Sequence, residues 1–232
     1  MIELYFWTTP NGMKPLIFLE ETGLEHVIRP VDISQGAQFS EAFAKISANQ
    51  KIPAIVDRAP IGGAAPVALF ESGAILLYLA ERSGRFLPAA VAGRAEALQW
   101  LFWQMGGLGP MLGQYLHFHA YADAAVPYAR ERYGRELARL YRVLDDRLGD
   151  RDFVAGSYSI ADMAIYPWIR RLEREGPHLE GFAHLRRWHD ALSRRPAVVR
   201  AYARAREINT VPTITEESKA LLFGQDAGRR AA

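Results

Sequence analysis

An acid and a hydroxyl stand side by side at Glu71-Ser72, where an apolar run changes from strand spacing to helix spacing. Upstream, Ile52-Pro53 opens another short apolar strand. A residue at such a strand end can offer free backbone groups, and a carboxylate beside a hydroxyl can hold a charged terminus. The two segments therefore suit an extended peptide with charged ends. A proline that only begins a strand, and a serine that only caps a helix, would leave the same pattern.

A second polar pair, Thr9 and Asn11, lies between the first apolar run and the first helix. Hydrogen-bond donors and the positive end of a helix both favour a thiolate, which is the reactive form of a thiol. The pattern Asn11-Gly12 also describes an ordinary turn and helix cap. The chain contains no cysteine, which excludes disulfides, thiolate metal sites and a Cys-x-x-Cys redox motif in the protein itself. Any thiol in this chemistry must come from a ligand.

Composition narrows the class of protein further. The 232 residues are 50% hydrophobic with a formal charge of +2, which gives no indication of nucleic-acid binding. No apolar stretch is long enough to predict a membrane span, and the N-terminus does not resemble a signal peptide, so we expect the cytoplasm. His117-Phe118-His119 has no acidic or cysteine companion at metal spacing, so we expect no metal.

The first third of the chain alternates strand and helix signals. The pattern predicts the order β-α-β-α-β-β-α, with Pro15 in the first turn of the first helix and Ser72 as N-cap of the third. Gly23 and Gly84 are the expected helix ends. The predicted strands are 2–7, 27–33, 53–56 and 67–70, with a short helix at 39–46.

After residue 88 the strand signal disappears, which predicts a domain boundary and an all-helical second part. Ser159 with Asp162 three residues later resembles a capping box. The helical spacing covers 89–104, 127–148, 160–171, 184–194 and 213–222, and residues 224–232 are expected to fray. We therefore expect domains at 1–86 and 91–207, with a C-terminal extension at 208–232.

This organisation resembles the glutathione transferases, and within them the nu class, a bacterial type without a catalytic cysteine that is associated with disulfide-bond reductase activity. The likeness runs from about residue 2 to residue 200. It is carried by five motifs, which read Thr-Pro-Asn-Gly at 9–12, Lys-Ile-Pro-Ala-Ile-Val-Asp at 51–57, Leu-Phe-Glu-Ser-Gly-Ala-Ile-Leu at 69–76, Gly-Gly-Leu-Gly-Pro-Met at 106–111 and Glu-Arg-Tyr at 131–133. The resemblance implies an α/β plus all-α protein with an N-terminal thioredoxin-like domain and a C-terminal helical bundle.

The same resemblance assigns roles to individual residues. It implies a cis bond before Pro53, so that the Ile52 backbone pairs with the cysteinyl part of glutathione. Glu71 and Ser72 would meet the ammonium and carboxylate of the γ-glutamyl end. Thr9 and Asn11 would be the catalytic residues that stabilise the glutathione thiolate. The implied glutathione-binding residues are Asn11, Gln38, Ile52, Glu71, Ser72 and Arg132.

Three functions remain open on the sequence. The resemblance favours a glutathione-dependent disulfide-bond oxidoreductase that holds two glutathione molecules per site and reduces small disulfides. The alternatives are conjugation of glutathione to small electrophiles and a non-catalytic glutathione-binding module. By the same resemblance we expect a homodimer whose ligands are glutathione, as cosubstrate, and a small-molecule disulfide or electrophile.

Overall fold

The N-terminal part is a mixed sheet with helices packed against it. In the computed structural model, which describes residues 1–175 and 179–224, the sheet has the strand order β2-β1-β3-β4. The strands are β1 Ile2–Phe6, β2 His26–Pro30, β3 Ala54–Asp57 and β4 Val67–Phe70. β1 runs parallel to β2 and antiparallel to β3, and β3 pairs antiparallel with β4. The helices of this part are α1 Pro10–Thr22, α2 Glu41–Ala44 and α3 Ser72–Ser83.

The rest of the described chain is helical. Its helices are α4 Val91–Trp103, α5 Gly109–Leu116, α6 Pro127–Arg147, α7 Ile160–Glu175, α8 Ala183–Ser193, α9 Pro196–Ile208 and α10 Glu216–Phe223. Two π-helical turns, Gln104–Leu108 and His117–Tyr121, flank α5. Among residues 1–175 and 179–224, no helix combines the length and the apolar character needed to cross a membrane. The expected α/β plus all-α class is confirmed.

The helix α1 is the element that both parts share. It packs against α3 of its own sheet and against α7 and α9 of the helical part. Eight consecutive residues of α1, from Gly12 to Leu19, are buried, so this helix has no exposed stripe along that stretch. A helix that is buried all round belongs to the core of a larger unit, and α1 therefore fixes the two parts relative to each other.

Several predicted boundaries move. Pro15 lies inside α1 instead of in its first turn, because the helix begins at Pro10. The predicted helix at 39–46 is instead a 3₁₀ turn, Ala37–Phe39, followed by the single turn of α2. The spacing did not predict α5 or α9. The end expected to fray lies, beyond Gly224, outside the described residues.

Asp162 organises the start of α7, as the capping pattern predicted. Its carboxylate accepts hydrogen bonds from the backbone N–H of Ser159 at 3.0 Å and of Val154 at 3.1 Å. The indole of Trp188, on α8, donates a third bond at 2.9 Å. Burial raises the pKa of the Asp162 carboxyl to about 6, although these donors oppose the shift. The carboxylate thereby ties α7 to the preceding loop and to α8.

We expect Asp162→Ala to lower the free energy of unfolding by about 3 kcal/mol, because it leaves several buried donors without an acceptor. Chemical denaturation followed by circular dichroism measures the loss. Asp152→Ala, which removes an exposed carboxylate from the same loop, is the matched control and should cost less than about 0.5 kcal/mol. Equal stability of the two variants would contradict the structural role of Asp162.

Candidate functional site

A cleft opens where the C-terminal ends of β1 and β4 meet the first π-helical turn. It encloses about 360 Å³ of empty space. The residues lining it are Asn11, Asn49, Lys51, Ile52, Pro53, Phe70, Glu71, Ser72 and Met105. Of the residues singled out in the sequence, the structure thus brings together Asn11, Ile52, Pro53, Glu71 and Ser72. The Ile52-Pro53 bond is cis, as expected.

The turn at Glu71 differs from the prediction. Glu71, and not Ser72, occupies the N-cap position of α3, and its side chain makes no capping bond. Its backbone has φ 69° and ψ 113°, a conformation that L-residues adopt at a cost and that is typical of functional sites. Ser72 is the first residue of α3, so its hydroxyl is not used as a helix cap. The exposed Glu71 carboxylate and the N-terminus of α3 both face the cleft.

Lys14, which the sequence did not indicate, lies directly behind Ser72. Its ammonium donates to Ser72 Oγ at 3.2 Å and to Gln104 Oε1 at 2.6 Å, and it lies 3.3 Å from Met105 Sδ. The side chain is 1% exposed. Burial lowers the pKa of Lys14 to about 7, with the Glu71 carboxylate opposing the shift. One buried cation therefore connects α1, α3 and the first π-helical turn.

Asn11 is oriented by a residue of the helical part. The indole N–H of Trp168, on α7, donates to Asn11 Oδ1 at 3.1 Å. Because the amide oxygen is occupied, the amide NH₂ of Asn11 is left to donate into the cleft. Gly109 makes room for this contact, since a Cβ there would lie 2.6 Å from Gln104 Nε2 and 3.4 Å from Trp168 Nε1. The glycine-rich segment therefore permits close packing beside the cleft, as the sequence suggested.

Thr9 caps α1. Its hydroxyl oxygen accepts from the backbone N–H of Gly12 at 3.1 Å, which leaves the hydroxyl proton free to donate elsewhere. Gly12 is required here, because a Cβ at this position would lie 2.2 Å from the carbonyl oxygen of Trp7. Thr9 and Asn11 thus present two neutral donors at the positive end of α1.

Two predicted binding residues do not line this cleft. Gln38 is buried, with its Nε2 3.4 Å from the carbonyl of Ile33 and its Oε1 without a hydrogen-bond partner among the described residues. Arg132 is exposed on α6. Tyr5 packs against Phe43, with ring centroids 5.9 Å apart, in line with its interpretation as a packed strand residue. Within the described part of the chain, no group of three or more His, Cys, Asp or Glu side chains could hold a metal ion.

A thioredoxin-like sheet with a cis-proline facing the start of α3, joined to helices that reach the same cleft, is the architecture of the glutathione transferases. The family models for the glutathione S-transferase N-terminal and C-terminal domains match residues 1–81 and 127–191. The chain belongs to the glutathione S-transferase family.

Two curated relatives come from Escherichia coli strain K12. Disulfide-bond oxidoreductase YfcG is 50% identical over 206 residues, which cover 88% of this chain and 96% of that protein. Disulfide-bond oxidoreductase YghU is 41% identical over 213 residues, covering 86% of this chain and 73% of the relative. The predicted likeness to bacterial disulfide-bond oxidoreductases is confirmed.

Solved structures share the fold and were crystallised with glutathione species. A glutathione transferase from Pseudomonas putida, with one glutathione disulfide bound per subunit, has a TM-score of 0.82 and 43% identity, covering 86% of this chain and 90% of that one. A family member from Pseudomonas fluorescens Pf-5, with two glutathione bound, also has a TM-score of 0.82, with 42% identity, covering 86% of this chain and 91% of that one.

The buried Lys14 predicts a specific pH dependence of stability. Its pKa is about 7 when folded, against an ordinary value of 10.5, so between these values the unfolded chain binds a proton that the folded chain does not. The free energy of unfolding should therefore rise with pH, by about 1 kcal/mol between pH 7 and pH 8 from this residue alone. Lys14→Met should remove that rise, measured by urea denaturation across the pH range.

Lys45→Met is the control for this comparison, because Lys45 is exposed and pairs only with Glu41 at the surface. Its pH profile should follow that of the wild type. If the Lys14→Met profile also followed the wild type, Lys14 would not be losing its proton in the folded protein.

Proposed function

We propose that the chain is a glutathione-dependent disulfide-bond oxidoreductase. The observation that carries this proposal is that one cleft joins the cis-proline segment and the Glu71-Ser72 turn to Asn11, beside the cap residue Thr9, in a chain without cysteine. The two Escherichia coli relatives named disulfide-bond oxidoreductases support it, as do the structures with glutathione disulfide or two glutathione molecules bound.

The cleft suits the two ends of glutathione differently. The Ile52 backbone would pair, strand-like, with the cysteinyl residue. The Glu71 carboxylate would pair with the γ-glutamyl ammonium. Ser72 and the N–H groups of the first turn of α3 would receive the γ-glutamyl carboxylate, since a helix N-terminus is a favourable anion site. Gln38 and Arg132 stay part of the proposal as outer contacts, with Arg132 meeting a carboxylate of a second glutathione.

At the sulfur end, Thr9 and Asn11 would donate hydrogen bonds to the thiolate. A free thiol has a pKa near 8.5, so about neutral pH most glutathione is in the unreactive form. Neutral donors and the positive end of α1 lower the free energy of the thiolate relative to the thiol. The acceptor atoms of both side chains already have partners, so their protons are the groups left to face the sulfur.

The reaction then proceeds by two exchanges. The glutathione thiolate attacks one sulfur of the substrate disulfide, forms a mixed disulfide and releases one substrate thiolate. A second glutathione thiolate attacks the glutathione sulfur of the mixed disulfide, forms glutathione disulfide and releases the other substrate thiolate. Two glutathiones are oxidised for each disulfide reduced, and all four sulfur atoms belong to ligands because the chain has none to offer as cysteine.

Assembly and location complete the proposal. We propose a homodimer, supported by large apolar side chains that are exposed in the single chain, among them Phe70 at 38% and Phe102 at 66%. The cytoplasm, where a reduced glutathione pool supplies the electrons, is the compartment that fits the reaction. Sedimentation as a monomer at micromolar concentration would contradict the dimer.

The activity is tested directly with hydroxyethyl disulfide and glutathione, coupled to enzymatic reduction of the glutathione disulfide formed. We expect turnover that depends on both substrates and on the folded protein. Tight glutathione binding by calorimetry without turnover would favour the non-catalytic holding module. Turnover only with an electrophile such as a chlorinated nitrobenzene would favour conjugation instead.

Asn11→Ala should lower kcat for disulfide reduction by about 10- to 100-fold while glutathione binding weakens much less, since it removes a donor aimed at the developing thiolate. Steady-state kinetics and calorimetry on the same preparation measure the two effects. Asn49→Ala is the matched control, because Asn49 lines the cleft away from α1. An equal loss of turnover and binding in Asn11→Ala would rule out its role at the sulfur.

A further inference from the structure

The segment after α9 returns to the N-terminal sheet and contacts the two residues that precede Thr9. Trp7 Nε1 donates to Thr213 Oγ1 at 3.0 Å. Asn209 Nδ2 donates to Thr213 Oγ1 at 2.8 Å and also to Thr8 Oγ1. Thr213 Oγ1 thus accepts from both Trp7 and Asn209, and Asn209 reaches Thr8 at the same time. Neither contact belongs to the cleft described above.

These contacts act on the turn that carries the proposed catalytic residues. The backbone N–H of Thr9 donates to the carbonyl of Trp7 at 2.8 Å. The same carbonyl leaves no space for a Cβ at Gly12, the residue whose N–H donates to the Thr9 hydroxyl. A displacement of Trp7 would therefore move both the backbone and the hydroxyl of Thr9.

The segment is itself held firmly enough to fix that turn. Thr215 and Ser218 form a reciprocal capping box at the start of α10, and Ser218 Oγ donates to the carbonyl of Thr213 at 2.9 Å. Ser218 is buried. Thr213 is thus a fixed acceptor, set by the cap of its own helix, instead of a side chain on a free tail.

The far end of α10 is anchored on the helical part. Phe223 packs its ring on His117 and Tyr121 at centroid distances of 5.1 and 5.5 Å. Lys219 pairs with Asp123 at 2.8 Å. The segment therefore spans from the second π-helical turn to Trp7, and it relays the position of the helical part to the Thr9 turn.

We propose that Asn209 and Thr213 are positioning residues for disulfide reduction, which hold the Trp7–Thr9 turn so that the Thr9 hydroxyl meets the glutathione sulfur. The inference rests on the proposed function and extends it, because it assigns a catalytic contribution to the C-terminal extension. Neither residue touches the substrate. Their effect passes through two side-chain hydrogen bonds to the strand end that leads into Thr9.

Thr213→Val tests the proposal, since valine has nearly the same shape but cannot accept the bonds from Trp7 and Asn209. We expect kcat for hydroxyethyl disulfide reduction to fall about five- to tenfold, because small misplacements of catalytic groups are costly. KM for glutathione should stay nearly unchanged, since the residues around Glu71 are not disturbed. Thr213→Ser, which keeps the hydroxyl, should restore the rate.

The pH profile supplies a readout that a merely structural role would not move. The thiolate absorbance of bound glutathione should appear at higher pH in Thr213→Val than in the wild type, and return in Thr213→Ser. Trp7→Phe removes the partner of the same bond, so the double variant should lose little more than either single one. Thr210→Val, at an exposed neighbouring position, should behave as the wild type.

The outcomes separate the two levels of the argument. A wild type without glutathione-dependent turnover would overturn the proposed function and this inference together. An active wild type with unchanged kcat and thiolate titration in Thr213→Val would overturn the positioning role alone, whatever the melting temperature of the variant. Additive losses in Trp7→Phe and Thr213→Val would also overturn it, because the two residues would then act separately.

Discussion

The cleft depends on a single buried cation. Lys14 lies in the middle of a helix enclosed on all sides, and its ammonium satisfies itself on Ser72 and Gln104. A buried charge without partners is strongly unfavourable, so α3 and the first π-helical turn must be in place whenever α1 is packed. This requirement makes the glutathione end of the cleft and the junction of the two domains one structural unit.

Two helix N-termini then give the cleft its polarity. The first turn of α3 lies at the Glu71-Ser72 end, and the first turn of α1 lies at the Thr9 and Asn11 end. Each offers backbone N–H groups and a partial positive charge to an anion. In the proposed complex the γ-glutamyl carboxylate and the thiolate, the two anionic groups nearest the sheet, each meet one of them.

The sequence predicted the elements that follow local rules. Gly23 and Gly84 end their helices in the left-handed conformation, as glycine at that position indicates. Asp162 forms the capping network that its spacing from Ser159 predicted. These features depend on residues within one or two turns, so a single sequence contains the information needed.

The features that were missed depend on distant residues. Helical spacing gave no reason to place Lys14 inside, because a lysine in an apolar helix normally extends to solvent. Its partners come from positions about 60 and 90 residues away, and their approach is set by tertiary packing. Ser72 was assigned as a cap because the usual rule favours serine there. The left-handed backbone of Glu71 moved the cap by one residue and released the hydroxyl.

The distribution of charge within the cleft also explains why a protein without cysteine can catalyse thiol exchange. A thiolate that is stabilised too strongly becomes a weak nucleophile, because nucleophilicity falls as the thiol pKa falls. Lys14 reaches the cleft through Ser72, at the carboxylate end, whereas the sulfur end presents the neutral donors of Thr9 and Asn11. The full positive charge thus contributes to holding glutathione, and the weaker donors promote ionisation of the thiol while leaving the sulfur reactive.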